Sequence, residues 1–347
     1  LFLGAGPLAS ALAAGNRCMV KMAANSSNLC ELMHKLIAEK FDENTLAIQP
    51  GVRGSDFTTL PFDHVIFTGS AETGRTVMRA AAENLTPVTL ELGGKSPTIL
   101  ADDFDVELAA GRILFTKFMN AGQTCVAPDY LFLPAGKKDA FVEAARRIMA
   151  KRYPDLAGGQ FTTVIDDSSF ARLVDTIGDA ANKGAMLVNL APGNEPDAGS
   201  RLMPPHLVLD PPDDAVIMRD EIFGPLLPVR TYSDIDEVLD YVNRRDRPLG
   251  LYLFTNDKAL QDRVVKNTIS GGVSINDCSF HVAQHDIPFG GVGASGMGHY
   301  HGHEGFVEFS KMRPIFSQFR FSALPLLHPP YGRIFNTLYR LMIKLKL

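Results

Sequence analysis

A cysteine and a glutamate are the residues of this chain best suited to covalent chemistry. Cys125 closes the segment Asn120-Ala-Gly-Gln-Thr-Cys125. A thiol after a glycine-containing turn, near a helix end, is reachable, and backbone N–H groups there stabilise its thiolate. The plain alternative is a small buried hydrophobe, the commoner fate of a lone cysteine. Glu91 lies in Leu90-Glu91-Leu92-Gly93-Gly94-Lys95, at the end of an apolar strand and before two glycines. In a parallel sheet that is where strands open to ligands. The alternative is a solvent-facing carboxylate at a strand end. A glutamate near a thiol can activate the thiol, or the water that later attacks its acyl adduct.

Two further segments suit binding. In Phe67-Thr68-Gly69-Ser70-Ala-Glu-Thr-Gly74-Arg75, a strand runs into Gly-Ser and then a helix with a glycine one turn in. Helix N-terminal N–H groups and a hydroxyl can take a phosphate; a simple Gly-Ser helix cap is the alternative. In Glu221-Ile222-Phe223-Gly224-Pro225, an acid and a ring two residues apart share a side of an extended chain, where they would grip a ribose and a flat ring. A bland turn before a strand fits equally well. His299, His301 and His303 would also share one side of a strand. Nothing else supplies a cation site there, and no metal is expected.

The elements that must hold these residues read as alternating strands and helices. Residues 7–14 read as a buried helix and 17–22 as a short strand. Asn25 or Ser26 caps a helix running to Lys40. Residues 46–48, 64–68 and 88–92 read as strands, with a helix over 70–83. Beyond them, 106–120, 138–151, 170–183, 235–243 and 258–268 read as helices, and 130–133 and 206–209 as strands. Such alternation specifies an α/β fold with a mostly parallel sheet. Residues 288–298 form a glycine-dense loop, and after Pro314 the chain is rich in Arg, Phe, Leu and Pro.

Length and composition set limits. The 347 residues allow two domains. With 46% hydrophobic and 21% charged residues, the chain is an ordinary globular sequence. The net charge of −5 and the lack of a basic stripe argue against nucleic acid as a partner. The cysteines, Cys18, Cys30, Cys125 and Cys278, are scattered without a CxxC pair, which points to reduced thiols in the cytoplasm. No apolar run is long enough for a membrane span. Leu1 is not Met, and the chain opens within an element without the pattern of a signal peptide. The sequence therefore reads as a fragment lacking its N-terminal portion.

Taken in order, these segments resemble the aldehyde dehydrogenase superfamily over essentially the whole chain. The resemblance runs through Ala11-Leu-Ala-Ala-Gly-Asn16, Lys21, the Gly69-Ser70 turn, Glu91-Leu-Gly-Gly94, Gly122-Gln-Thr-Cys125, Glu221-Ile-Phe-Gly-Pro225 and Pro288-Phe-Gly-Gly-Val-Gly293. Tyr300-His-Gly-His-Glu-Gly-Phe306, Phe309-Ser310, Phe319-Arg-Phe-Ser322 and Pro329-Pro-Tyr-Gly-Arg333 are similar to its class 3 branch. Met19-Val-Lys-Met22 and the segment from His299 to Gly305 are similar to the coniferyl aldehyde dehydrogenases of that branch.

The resemblance implies a Rossmann-type nucleotide-binding domain over 1–92, incomplete at its start. An α/β catalytic domain over 93–280, a return to the first domain over 281–315 and a tail over 316–347 follow. It implies NAD or NADP as cofactor, an aldehyde substrate (aromatic, such as coniferaldehyde, or aliphatic) and a homodimer. Cys125 would attack the aldehyde, hydride would pass to the nicotinamide, and Glu91 would activate the water that hydrolyses the thioester to a carboxylic acid. Acylating relatives that use coenzyme A do not rely on such a base. Lys21 would contact the adenosine ribose, Gly69 and Ser70 the pyrophosphate, and Glu221 the nicotinamide ribose. Phe223 and Leu92 would lie near the ring, and Gly74 belongs to the same cofactor set.

Two departures from the family pattern matter. Ala24 stands where many NAD-preferring relatives carry a glutamate for the adenosine ribose, so NADP use is expected as well. The oxyanion-binding asparagine of the family lies upstream of the segment matched by Leu1-Phe2-Leu3 and is not in this chain. Loss of one such donor costs about 10²–10³ in rate, so the polypeptide as given is expected to be less competent than its parent. Two other readings stand beside this one: a cysteine-dependent hydrolase or acyltransferase, and a non-catalytic binding protein on the same scaffold. The tail over 338–347 suits a basic amphipathic helix at a membrane surface, but packing on protein is the expectation adopted.

Overall fold

The computed structural model describes residues 2–346; Leu1 and Leu347, at the ends of segments singled out above, lie outside the described residues. The chain divides after Ser310 into a large unit and a smaller one that starts at Lys311. The large unit is built on three sheets. β1 (Cys18–Val20) pairs in parallel with β2 (Leu46–Ile48). β3 (Val65–Thr68) pairs in parallel with β4 (Val88–Glu91). The remaining strands are β5 (Pro97–Leu100), β6 (Tyr130–Pro134), β7 (Met186–Asn189), β8 (His206–Leu209), β9 (Leu226–Tyr232), β10 (Gly250–Phe254), β11 (Gly272–Ile275) and β12 (Gly296–Met297). β12 adds antiparallel to β4. The others form a seven-stranded sheet in the order β11-β10-β5-β6-β9-β8-β7, parallel throughout except at β7.

The seven-stranded sheet is covered on both faces, and its strands alternate between two cores. Leu100, Leu131, Leu133, Tyr252 and Phe254 pack on one side with the helices Val106–Phe118 and Lys138–Arg152. Ile99, Tyr130, Phe132, Leu251 and Leu253 pack on the other, with Asp167–Asn182, Ile235–Asn243 and Lys258–Asn267. This is the period of two that a pleated strand imposes. Because both faces are buried, these strands read as continuous apolar runs. Periodicity cannot separate such runs from buried helix. That is why β5, β9 and β10 were not legible in the sequence.

Helix starts were more legible. Asp105 caps Val106–Phe118 at its expected start, accepting from Leu108 N–H at 2.7 Å; Asp166 caps Asp167–Asn182 ahead of the expected start at 170, accepting from Ser169 N–H at 2.8 Å. Ser70 caps Ala71–Ala82, accepting from Thr73 N–H at 3.3 Å. The opening helix differs from expectation. It runs Phe2–Ala13, and among its described side chains only Pro7 is buried. It is apolar all round but covered on one side, where it meets Gly302–Glu308. The expected strand 17–22 is shorter, leaving Lys21 just past its end.

The unit from Lys311 carries a short turn at Leu324–Leu327 and the helix Arg333–Leu345, on which Phe335 and Tyr339 stack at 5.8 Å. Among the described residues no helix is long and apolar enough to cross a membrane.

Candidate active site

The helix Val106–Phe118 ends two residues earlier than its sequence suggested, because the chain turns sharply. Asn120, Ala121 and Gly122 all have positive φ, at 51°, 51° and 73°. For Asn120 and Ala121 this conformation costs about 1–2 kcal/mol each. At Gly122 a side chain is excluded outright: a Cβ would sit 2.3 Å from the Gly224 carbonyl oxygen. Polar groups hold the strained turn. Asn120 Nδ2 donates to the Gln123 carbonyl at 3.1 Å, and Gln123 Nε2 donates to the carbonyls of Asn120 and Thr163 at 3.0 and 3.1 Å. Gln123 Oε1 accepts from Ile165 N–H at 2.8 Å.

Cys125 follows in a second turn, closed by Ala127 N–H to the Thr124 carbonyl at 3.0 Å. The next carbonyl, of Val126, accepts from two hydroxyls, Tyr252 at 2.6 Å and Ser279 at 2.5 Å. The nucleophile candidate is thus fixed at backbone level from both directions. Its thiol differs from the sequence expectation. Cys125 keeps some exposed surface, yet its sulfur is densely surrounded. Burial, with the Glu91 and Glu221 carboxyls nearby, pushes its pKa well above the ordinary value. These effects outweigh backbone N–H stabilisation, so the resting group is a neutral thiol.

Glu91 ends β4, between Thr68 of β3 and Gly296 of β12. The glycine-dense loop explains itself here: it lays β12 along β4, and Leu92 N–H donates to the Ser295 carbonyl at 3.1 Å. Glu91 is 1% exposed, and neither carboxyl oxygen has a hydrogen-bond partner among the described residues. Burial raises its pKa to about 7; the facing Cys125 thiol offsets part of that rise, and Glu221 adds to it. The solvent-facing alternative is therefore excluded for Glu91.

Glu221 reaches the same region from the segment before β9. A Cβ on Gly93 would lie 2.2 Å from its carboxyl oxygen, so any other residue there would displace the Glu221 carboxyl from its place beside β4. Gly94 N–H donates to it, yet burial, then Asp129, raise its pKa to about 7. Phe223 does not share its side, as an extended chain would require. Phe223 has φ 45° and is 40% exposed, so the local backbone is a turn. The segment is pinned by Lys95, which donates to Asp129 and to the Ile217 and Asp220 carbonyls, the latter two at 2.7 and 2.8 Å. Asp129 in turn accepts from Ile222 N–H at 3.0 Å.

The other expected cofactor residues gather at carboxyl ends of parallel strands, where open α/β sheets bind ligands. Gly69 follows β3, and its N–H donates to the Glu91 carbonyl at 3.0 Å. Leu92 is buried against Ala71–Ala82, and a Cβ on Gly74 would lie 2.8 Å from its Cδ2. Lys21 lies beyond β1, its Nζ 3.8 Å from where Gly54 would carry a Cβ. A twelve-residue helix with its N-terminus at Ser70, beside the buried Glu91 and the half-buried Glu221, fits a dinucleotide with anionic phosphates and ribose hydroxyls.

Three groups at the site escaped sequence reasoning. Tyr300 is buried, and its hydroxyl is raised by burial, Glu91 and Cys125, so it lies near both. Only the fold brings it there. Asp129 and Lys95 meet across 34 residues of chain. Lys117 is fully buried, and its spacing from Ala110, Ile113 and Leu114 was a usable signal. The histidine triple is not on a strand: His301 precedes the helix Gly302–Glu308, with φ 88°, and stacks on Phe289 at 5.6 Å. The shared-side premise fails there.

Comparison with known proteins gives one answer. Residues 1–315 match the model of the aldehyde dehydrogenase family. The chain is 50% identical over 349 residues to a probable coniferyl aldehyde dehydrogenase of Pseudomonas aeruginosa, covering 99% of this chain and 72% of that protein. A substrate-bound aldehyde dehydrogenase structure from Staphylococcus aureus superposes with TM-score 0.89 at 37% identity, over 98% of this chain and 74% of that one. The Mycobacterium tuberculosis aldehyde dehydrogenase complexed with NAD⁺ gives TM-score 0.80 at 29% identity, over 92% and 68%. The chain belongs to the aldehyde dehydrogenase family, with its α/β fold, and is an oxidoreductase that oxidises an aldehyde with NAD or NADP.

Proposed function

We propose that Cys125 is the nucleophile and Glu91 the general base of this oxidation, and that an aromatic aldehyde of the coniferaldehyde type is the substrate. One observation carries the catalytic half: a buried carboxyl without a hydrogen-bond partner among the described residues faces a thiol on a fixed turn. With its pKa near 7, Glu91 is both a competent base and a competent acid at neutral pH. It takes the thiol proton as Cys125 Sγ bonds to the carbonyl carbon, which gives a thiohemiacetal. NAD(P)⁺, when bound, supplies the hydride acceptor that turns this adduct into a thioester. Glu91 releases the first proton to solvent and, ionised again, takes a proton from water as the water oxygen attacks the thioester carbon; it returns this proton to the departing thiolate. The C–S bond breaks, the thiol is restored and a carboxylic acid leaves. The name of the Pseudomonas aeruginosa relative supports the substrate half.

Lys21, Gly69, Ser70, Gly74, Leu92, Glu221 and Phe223 make up the cofactor contacts in this reading. Residues 1–92 with 281–315 act as the nucleotide-binding part, and 93–280 as the catalytic part. Ala24 brings no carboxylate against a 2′-phosphate, so kinetics with both cofactors will show appreciable NADP⁺ activity; strict NAD⁺ dependence contradicts this. A cytoplasmic homodimer is the setting the resemblance supports, and sedimentation equilibrium reads the dimer directly. The reaction is tested by the absorbance of reduced nicotinamide with coniferaldehyde, benzaldehyde and alkanals. Oxidation of alkanals alone overturns the substrate assignment.

A further inference from the structure

The unit from Lys311 differs from the rest of the chain in charge. The protein carries a net charge of −5, yet residues 311–347 hold seven lysines and arginines and no aspartate or glutamate. Its apolar side chains are as unusual. Met312, Ile315, Phe316, Phe319 and Phe321 are each between 75% and 89% exposed, interleaved with Arg313 and Arg320. No residue over 311–346 is buried.

The helix Arg333–Leu345 sorts these two characters onto different faces. At the α-helical repeat, Arg333, Thr337, Arg340 and Lys344 fall in one narrow stripe. Most of the remaining circumference belongs to Ile334, Phe335, Leu338, Leu341, Met342 and Leu345. Tyr331, Phe335 and Tyr339 run along the edge of that face as a ladder, with ring centroids 4.5 and 5.8 Å apart. The unit does not cover this face itself: Ile334, Leu341, Met342 and Leu345 are exposed, and Phe335 and Leu338 only half-buried. A contiguous exposed apolar face of this kind marks a surface of interaction.

Charge selects the occupant. Packing on protein is the expectation from sequence for 338–347, but the cores of protein interfaces are depleted of charge and of lysine. Here cations line one whole side of the helix and continue on both flanks, with no acid in the unit to neutralise them. Anionic headgroups match that stripe, while the apolar face enters the acyl boundary and the tyrosines sit at headgroup depth. We propose that the unit from Lys311 docks the protein on an anionic lipid surface, with the helix Arg333–Leu345 lying in the plane of the headgroups. It lies on the bilayer rather than across it. Thirteen residues rise about 20 Å, against roughly 30 Å of hydrocarbon.

The chain contains no tryptophan, so Leu341→Trp puts a single reporter on the apolar face. The full chain is mixed with phosphatidylcholine vesicles, with or without phosphatidylglycerol. With phosphatidylglycerol present, the emission shifts to the blue and brominated acyl chains quench it; with phosphatidylcholine alone, neither happens. Flotation of the unsubstituted chain shows the same lipid dependence, and salt at about 1 M weakens the binding. Arg333→Gln, Arg340→Gln and Lys344→Gln together lower vesicle affinity about 100-fold, at about fivefold per cation. They leave Tm unchanged, because all three side chains are exposed. Equal binding to both vesicle types overturns the recognition of charge. Emission that is already blue without vesicles, or turns blue with protein concentration alone, means that protein covers the face and overturns the proposal. The unsubstituted chain decides even if a variant is perturbed: failure to float with phosphatidylglycerol vesicles overturns it.

Discussion

The Lys95–Asp129 pair, just before β5 and β6, and the Glu91–Cys125 pair, between the end of β4 and a turn, bury polar groups in opposite ways. Asp129 is 3% exposed, and both its oxygens are engaged, by Lys95 and by Ile222 N–H. Glu91 is 1% exposed, and its carboxyl oxygens have no hydrogen-bond partner among the described residues. The first pair fastens the segment 217–222 to the seven-stranded sheet, and its charge is compensated where it stands. The second leaves a carboxyl and a thiol raised in pKa and free to exchange protons. Buried polar groups are normally satisfied. The difference therefore separates a group that holds structure from one that, in the proposed mechanism, is kept for chemistry at a cost in stability.

Substitutions test that division, and the largest effect belongs to the proposed nucleophile. Cys125→Ser is expected to lower kcat by about 10⁴-fold or more, since groups that act as a unit fail together. Its Tm should stay close to the parent, because the turn is held by Gln123, Tyr252 and Ser279 rather than by the thiol. A comparable collapse of Tm would move Cys125 to the structural side.

Asp129→Asn should act the other way. It leaves the Lys95 ammonium buried and uncompensated, so urea unfolding should show about 3–5 kcal/mol of lost stability.

Glu91→Gln should lose activity and gain stability, and the gain should depend on pH. The folded pKa of Glu91 is about 7 against 4.5 for an ordinary glutamate. The folded protein thus holds this proton more tightly than the unfolded chain does. Its contribution to stability is present below the unfolded pKa and is lost as pH rises through about 7. The difference corresponds to about 3 kcal/mol at most. Glu91→Gln should therefore melt higher than the parent on the alkaline side of neutrality and no higher in mild acid. A pH-independent Tm difference contradicts the burial argument.

The smallest effect is at the phosphate end. Ser70→Ala removes one cap from Ala71–Ala82 and should cost about 0.5–1 kcal/mol in the same urea assay.

Much of this site was legible because its parts are local. The turn before Cys125, the Gly-Gly after Glu91 and the Ser70 cap each declare themselves within a few residues. Where sequence reasoning went wrong, a local assumption met a tertiary fact. The stabilised thiolate expected at Cys125 gave way to a thiol raised in pKa, because burial, and then two carboxyls from distant segments, disfavour the thiolate. Phe223 and Glu221 lost their shared side when the chain turned at Phe223. Tyr300 and the Lys95–Asp129 pair were invisible because only the packed fold brings them to the site. The buried strands of the large sheet were hidden for the opposite reason: their apolar runs carry no periodic signal.

The central claim is that Cys125 forms the acyl adduct and Glu91 releases it. Intact-mass and peptide mass spectrometry of Glu91→Gln, mixed with aldehyde and NAD(P)⁺, tests it most directly. The account predicts that an acyl group accumulates on Cys125, with a burst of reduced cofactor equal to the sites and slow turnover after it. An unmodified Cys125, or an acyl group on Cys18 instead, would contradict it.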